Sequence, residues 1–187
     1  MRELSTQELL VTFSRIMDEL KLRHVVRTFN NPVADYCESL VAFALGLHLE
    51  GNSHKGYDAT DSAGMRYQIK GRLLHDPHSL NQLGVIRNLD AHEFDFLIAV
   101  LLDPLFSVIE AYKIPHSLVT KYSSYSQHQH GNIIRLRGQI LEDPEIERIG
   151  KALRVELPNQ SKNSRSLASP TETEELLFPP LRKAGKP

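Results

Sequence analysis

The sequence predicts an α/β domain in which helices flank a mixed β-sheet. Two segments near the start, 5–20 and 31–46, repeat apolar residues at helical spacing. They are followed by a polar hairpin centred on "DSAG" (61–64). The stretch "FDFLIAVLL" (94–102) is then almost continuously apolar, as expected of a central strand that is covered on both faces.

Length and composition favour a single domain. The chain has 187 residues, of which 41% are hydrophobic, so it can fill one core, and we place that domain at residues 1–155. From 156 to 187 the composition shifts to Ser, Asn, Pro and Lys, and we expect an extended or disordered tail there. A net charge of −1 counts against a protein that coats nucleic acid non-specifically, because such affinity comes from many phosphate contacts.

The compartment is predicted from what the chain lacks. Cys37 is the single cysteine, so no internal disulfide can form and a reducing interior is favoured. The opening "MRELSTQELL" carries charges where a signal peptide needs an apolar run, and the longest apolar run, "LIAVLL", is too short to span a bilayer. We therefore expect a cytoplasmic protein with no membrane partner.

Local signals place the two N-terminal helices. Ser5 stands three residues before Glu8, which is the spacing of a capping box. The second helix is predicted to begin at Asn31, a good N-cap, with Pro32 at the first helical position. Gly46 is expected to end it.

The segments around the apolar strand complete the order of elements. Residues 73–93 are predicted to form a loop with at most a short helix, and "FSVIEAYKIP" (106–115) a hairpin partner of the central strand. We expect a helix in "HSLVTKYSSY" (116–125), a half-buried strand in "GNIIRLRGQI" (131–140) and a helix in "PEIERIGKALRV" (144–155).

Turn chemistry fixes the register of the hairpin. If Asp61 begins a type I turn, Gly64 falls at the position that requires a left-handed backbone, which glycine adopts without penalty. The resulting three-residue loop pairs Ala59 with Tyr67. A two-residue loop would shift every side chain to the opposite face.

This register brings three polar groups to one face of the hairpin. Asp58 lies opposite Gln68, with their Cβ atoms about 5 Å apart, and Lys70 projects from the same face. Carboxylate and amide oxygens suit a hard divalent cation such as Mg²⁺, which lowers the pKa of a bound water. The ammonium group would orient the attacking hydroxide and stabilise the charge that builds on phosphorus.

Asp58 followed by Gln68-Ile69-Lys70 resembles the motif of the PD-(D/E)XK nuclease superfamily, in which an aspartate ends one strand and an acid, one residue and a lysine follow on the next. The glutamine resembles the QxK variant of Mrr-like restriction nucleases. The resemblance covers roughly residues 30–140. It implies a restriction-endonuclease-like core and Mg²⁺-dependent hydrolysis of DNA phosphodiester bonds, with Mn²⁺ as a substitute. It further implies a type II restriction endonuclease, often a homodimer, in a restriction–modification system.

The same resemblance assigns the site residues. A glutamate from a preceding helix often joins the site in this superfamily, and Glu38 lies where that residue would be. The implied metal ligands are Asp58, Gln68 and Glu38, and because glutamine is neutral we expect metal binding to depend more heavily on Glu38. Arg72 and Arg87 are candidates for contacts with the DNA. The implied catalytic set is Asp58, Gln68, Lys70 and Glu38.

Two other functions stay open. The near-neutral charge, the glutamine and the apolar segment "ELLFPPL" (175–181) also fit a non-catalytic DNA-binding or scaffolding module of a defence system on the same fold. The histidines of "HDPH" (75–78) and "HQH" (128–130) resemble metal ligand pairs of a zinc- or histidine-based hydrolase. A tetrahedral zinc site normally has four ligands at defined spacings, so a solvated loop accounts better for both.

Overall fold

The computed structural model describes residues 3–51, 56–75 and 82–158; of the tail assigned to 156–187, all but the first three residues lie outside this part. The helices are α1 (Thr6–Leu22), α2 (Val33–Leu45) and α3 (His116–Tyr122). The strands are β1 (His48–Leu49), β2 (Ala59–Thr60), β3 (Arg66–Leu73), β4 (Phe96–Leu102), β5 (Val108–Pro115), β6 (Ser124–Ser126), β7 (Gly131–Ile133) and β8 (Glu147–Arg148). Within the described chain, no helix is long and apolar enough to cross a membrane.

The main sheet has six strands in the order β1-β2-β3-β4-β5-β8, and β6 pairs with β7 separately. Strand β4 runs parallel to β3 and antiparallel to β5, so the sheet is mixed. Ile98 and Val100 contribute to the core on the α2 side of the sheet, while Leu97 and Ala99 contribute to the core on the other side. All four are fully buried, which confirms the predicted central strand and the mixed α/β class.

The predicted start of α1 and the predicted end of α2 are confirmed, but α2 begins one residue later than predicted, with Pro32 and not Asn31 as its N-cap. The Ser5 side chain accepts a hydrogen bond from the Glu8 amide, and the Glu8 carboxylate accepts one from the Ser5 amide, which completes the capping box. The Asn31 side chain accepts a hydrogen bond of 3.0 Å from the Val33 amide at the start of α2. Gly46 ends α2 with a φ of 65°, in the left-handed region.

Helix α2 packs closely on β3 because a glycine leaves room for it. A Cβ atom at Gly71 would lie only 2.3 Å from the Sγ atom of Cys37 on α2. Cys37 is fully buried there, and burial raises the pKa of its thiol to about 12. The contact sets how closely α2, including Glu38 next to Cys37, approaches β3.

The opposite face of β3 is covered by the loop that leads to β4. Its described part, 82–93, contains one 3₁₀ turn at Leu89–Ala91, in agreement with the predicted loop. Isolated bridges join Gln82 to Arg135 and Ile86 to Asn132, and so hold this loop beside β7 and the residues that follow it. The predicted strand at 131–140 is only partly right, because β7 ends at Ile133.

The predicted helix at 144–155 is wrong. Residues Glu147–Arg148 form β8, which pairs antiparallel with β5, and the Ile149 amide donates a 2.9 Å hydrogen bond to the Ala111 carbonyl. Gly150 lies against the β5 backbone, where a Cβ atom would be 3.1 Å from the Ala111 nitrogen. The open edge of β5 offers main-chain partners that a surface helix would leave unused, and glycine disfavours the helix.

The Gly71 contact predicts a large difference between two glycine substitutions. Gly71→Ala should lower the free energy of unfolding by about 1–3 kcal/mol, because the added methyl overpacks against Cys37. Gly84→Ala is the control, since its Cβ would meet Lys70 Cδ at an ordinary 3.9 Å. Urea unfolding followed by circular dichroism measures both. Equal stabilities for the two variants would contradict the packing described for α2.

Candidate functional site

The hairpin that carries the predicted site has the expected register. Ala59 pairs with Tyr67, and Gly64 has a φ of 82°. The Asp61 carboxylate accepts hydrogen bonds from the Met65 amide and the Tyr67 hydroxyl, at 3.0 and 2.9 Å. The Met65 amide is the main cause that lowers the pKa of Asp61. The turn is therefore held by its own aspartate, and Asp58 is not needed for it.

Asp58 directly precedes β2 and contacts β3 through its side chain. Its Oδ2 atom accepts hydrogen bonds from the Ile69 amide at 2.6 Å and from the Gln68 side-chain nitrogen at 2.5 Å. The Asp58 amide donates to the Tyr67 carbonyl at 2.8 Å. The carboxylate thus replaces the main chain as the acceptor opposite β3. Among the described residues no hydrogen bond reaches Oδ1 of Asp58, so that oxygen is left for the cavity that Asp58 lines.

Asp58 lines a cavity of about 210 Å³ that is rich in carboxylates, which we call the acidic cavity. It lies where α2 and the loop before it meet the start of β2. Glu38 reaches it from α2, on the side of the sheet that α2 covers. The lining residues are Arg27, Thr28, Asp35, Glu38, Glu50, Gly51, Tyr57 and Asp58.

The positive charge of Arg27 offsets the negative charge of Glu38 in this cavity. The Glu38 side chain is only 13% exposed and forms an ion pair with the Arg27 guanidinium, which also donates a 2.8 Å hydrogen bond to the Glu50 carbonyl. Buried Asp35 positions this arginine, because its Oδ2 atom accepts from the amides of Arg27 and Thr28 at 2.8 and 2.9 Å. Asp35 is therefore committed to a structural role, and the Glu50 carboxylate accepts a 3.2 Å hydrogen bond from the Thr60 hydroxyl. Glu38 and Asp58 are the lining carboxylates that the sequence predicts as ligands.

Lys70 lines a second cavity, of about 380 Å³, which we call the lysine cavity. The loop over β3 forms its other wall with Val85, Arg87 and Asn88. No hydrogen bond or ion pair joins Lys70 to another described residue. The lining residues are Gly56, Gln68, Lys70, Val85, Arg87, Asn88 and Glu93.

The Asp58–Gln68 hydrogen bond connects the two cavities. The structure therefore brings Glu38 together with Asp58 in one cavity, and Gln68 with Lys70 and exposed Arg87 in the other. It does not bring Arg72 to either cavity. The Arg72 guanidinium donates to the Gln82 carbonyl at 2.7 Å, and its buried Nε atom has no hydrogen-bond partner among the described residues.

The oxygen atoms of the acidic cavity suit Mg²⁺, which binds proteins through one or two carboxylates and completes its shell with water and phosphate oxygens. Glu38 and Asp58 supply those carboxylates. Gln68 presents its amide nitrogen to Asp58, so the amide would have to turn over to serve as an oxygen ligand. Within the described ranges, no three His, Cys, Asp or Glu residues are grouped to hold a metal; residues 76–81, including His78, lie outside them.

Sequence reasoning missed several residues of the two cavities. Arg27 lies in the break between two helices and belongs to no motif, so only the tertiary contact with Glu38 reveals it. Glu93 precedes buried Phe94 in a loop, and it enters the lysine cavity next to Gly56, where any Cβ atom would overlap it. The glycine at position 56, whose φ in the structure is 99°, is the local sequence signal of this close approach.

The double acceptor role of Asp58 predicts how two substitutions differ in stability. Asp58→Ala leaves the Ile69 amide without its acceptor and should cost about 1–3 kcal/mol of the free energy of unfolding. Asp58→Asn keeps an oxygen that can accept from this amide and should cost under about 1 kcal/mol. Thermal and urea unfolding measure both, with exposed Asp90→Ala as the control. An Asp58→Ala variant as stable as that control would refute the role of this hydrogen bond.

Comparison with known proteins adds no family assignment to this geometry. The resemblance to nucleases stays a prediction from the sequence of the hairpin and of Glu38. Function therefore has to be inferred from the charges and contacts of the cavities. No family model matches the chain, and no curated protein matches it in sequence.

Proposed function

We propose that this protein is a Mg²⁺-dependent endodeoxyribonuclease of the type II restriction class, built on a restriction-endonuclease-like core and acting in the cytoplasm. One observation carries the proposal: the hydrogen bond between Asp58 and Gln68 links two neighbouring cavities. The acidic cavity provides carboxylate oxygens, and the lysine cavity provides cationic groups. Phosphodiester hydrolysis needs both, since a metal activates water while cations stabilise the charge that develops on the phosphate.

The residues of the two cavities take distinct roles. Glu38 and Asp58 would hold Mg²⁺, which supplies a Lewis acid and lowers the pKa of a bound water. Gln68 fixes the Asp58 carboxylate by donating to it. Lys70 lines the lysine cavity, where no acceptor among the described residues engages its ammonium group and a phosphate oxygen can bind it.

The lysine cavity is a suitable place for a DNA phosphate. Lys70 and Arg87 contribute two positive charges, and Glu93 offsets one of them. The local excess of positive charge explains how a chain with a net charge of −1 can still bind the DNA backbone. Exposed Arg87 lies at the outer part of this wall, and a planar guanidinium binds phosphate through two parallel hydrogen bonds.

A non-catalytic DNA-binding or scaffolding module is the second candidate, and one feature of the acidic cavity favours it. Glu38 is already neutralised by Arg27, and Asp58 already accepts two hydrogen bonds, so neither acid requires a cation. The two candidates differ in whether Mg²⁺ displaces these contacts.

Lys70→Ala tests the catalytic role of the ammonium group. The variant should cleave DNA at least about 100-fold more slowly than the wild type, because a charge-stabilising group is lost from the reaction. The assay incubates methylated and unmethylated plasmid DNA with Mg²⁺ or Mn²⁺ and sequences the ends that form. Exposed Lys151→Ala is the matched control and should cleave normally. Unchanged cleavage by a folded Lys70→Ala protein would defeat the assignment.

Calorimetric titration with Mg²⁺ and Mn²⁺ separates the nuclease from the binding module. We expect the wild type to bind one or two ions and both Glu38→Gln and Asp58→Asn to lose that binding, because each removes a carboxylate that faces the acidic cavity. Lys70→Ala should retain it. A wild-type protein that binds DNA but neither cation supports the non-catalytic module.

A further inference from the structure

Strands β6 and β7 form a two-stranded ribbon outside the main sheet. They pair antiparallel, with Ser126 opposite Gly131, and four exposed residues, 127–130, close the ribbon at its tip. The tip reads "QHQH", so each of its side chains can donate or accept a hydrogen bond. In the described part of the chain, no hydrogen bond or ion pair engages these four side chains. They are therefore available to a ligand.

The ribbon belongs to a long segment without acidic residues. Between Glu110 and Glu142 the sequence contains no aspartate or glutamate, although the chain has 23 acidic residues. The two lysines of this segment pair with acids that lie outside it. Arg135 and Arg137 follow β7, and no acid among the described residues forms an ion pair with either of them. A surface of this composition attracts a polyanion, even in a chain whose net charge is −1.

Main-chain contacts hold the ribbon beside the lysine cavity. Asn132 on β7 and Ile86 exchange two hydrogen bonds, of 2.8 and 2.9 Å, between their amides and carbonyls. Ile86 stands between Val85 and Arg87, which both line the lysine cavity. Gly131 lets β7 approach this wall, because a Cβ atom there would lie 2.4 Å from Cγ1 of Val85. The ribbon and the cavity wall are therefore packed as one unit.

We propose that the β6–β7 ribbon reads the sequence of double-stranded DNA by entering the major groove next to the phosphate in the lysine cavity. This inference rests on the proposed function, which assigns a DNA phosphate to that cavity. The major groove is about 12 Å wide and admits a two-stranded ribbon, whose strands lie about 5 Å apart. His128 at the tip is four residues from Asn132, so it lies at most about 14 Å from the bridge to the cavity wall. That distance corresponds to about four base-pair steps along DNA.

The side chains of the ribbon match the polar edges of base pairs. The amides of Gln127 and Gln129 can each donate to N7 of an adenine and accept from its N6 amino group. Tyr125 is 63% exposed and lies on the ribbon face opposite to buried Ile133, where its hydroxyl can contact the DNA backbone. Double-stranded RNA does not fit this mode of binding, because its major groove is too narrow for side chains to read.

Selection of binding sites from a random duplex library distinguishes base reading from cleavage. The full chain is incubated with the library and Ca²⁺ in place of Mg²⁺, and the bound duplexes are sequenced. We expect the wild type to enrich a short motif, and Gln127→Ala/Gln129→Ala to bind that motif at least about 10-fold more weakly, because contacts to base edges are lost. The affinity of this double variant for a duplex of random sequence should stay within about threefold of the wild type, since contacts to phosphates are kept. Gln7→Ala, at an exposed position on α1, is the matched control and should bind both duplexes normally.

The outcomes for the ribbon and for the nuclease are separate. If the double variant binds the wild-type motif with undiminished affinity, or if the wild type enriches no motif, the ribbon does not read bases, whether or not the wild type cuts plasmid DNA. An equal loss of affinity for the motif and for the random duplex also overturns base reading. A wild type that selects a motif through the two glutamines but cuts no DNA supports the ribbon and contradicts the nuclease.

Methylation interference identifies the groove that the ribbon enters. Dimethyl sulfate methylates N7 of guanine in the major groove and N3 of adenine in the minor groove. We expect methyl groups in the major groove of the selected motif to prevent binding and those in the minor groove to leave it unchanged. Double-stranded RNA of the same sequence should not compete for the protein. Interference in the minor groove alone, or effective competition by the RNA, would overturn the proposal.

Discussion

The hydrogen bond from the Ile69 amide to the Asp58 carboxylate determines where the candidate site forms. A strand normally ends when its main chain leaves the sheet, and the amide opposite then turns to solvent or to a loop. Here a carboxylate takes the place of the departing main chain. An acid is thereby fixed at the point where β2 separates from β3, and the same oxygen orients Gln68 beside it.

Strand β3 organises the site because its two faces are covered by different parts of the chain. Helix α2 covers one face, closely enough that Gly71 must lack a side chain, and the loop before β4 covers the other with Gly84 against Lys70. Glu38 and Lys70 therefore approach Asp58 from opposite sides of the sheet. Both layers have to be packed before the two cavities exist, so the site and the core cannot form independently.

The parts that could be predicted from sequence are those set by local chemistry. Asp61 and Gly64 specify the hairpin register through contacts within five residues, and the unbroken apolar run specifies β4. Arg27 could not be found in this way, because Asp35 positions it through a tertiary contact. The wrong helix at 144–155 has a related cause. Apolar residues three apart fit a helix as well as an edge strand followed by a turn. Pairing with β5, which is distant in sequence, selects the strand.

The Arg27–Glu38 ion pair has a consequence for the metal-free protein. Clustered carboxylates repel one another when no cation is bound, and this repulsion destabilises the folded state. In this chain the Arg27 guanidinium is an internal counter-ion of Glu38. Repulsion between Glu38 and Asp58 therefore destabilises the metal-free protein little. A cation that binds Glu38 would have to compete with this arginine, which would raise its apparent dissociation constant for the acidic cavity.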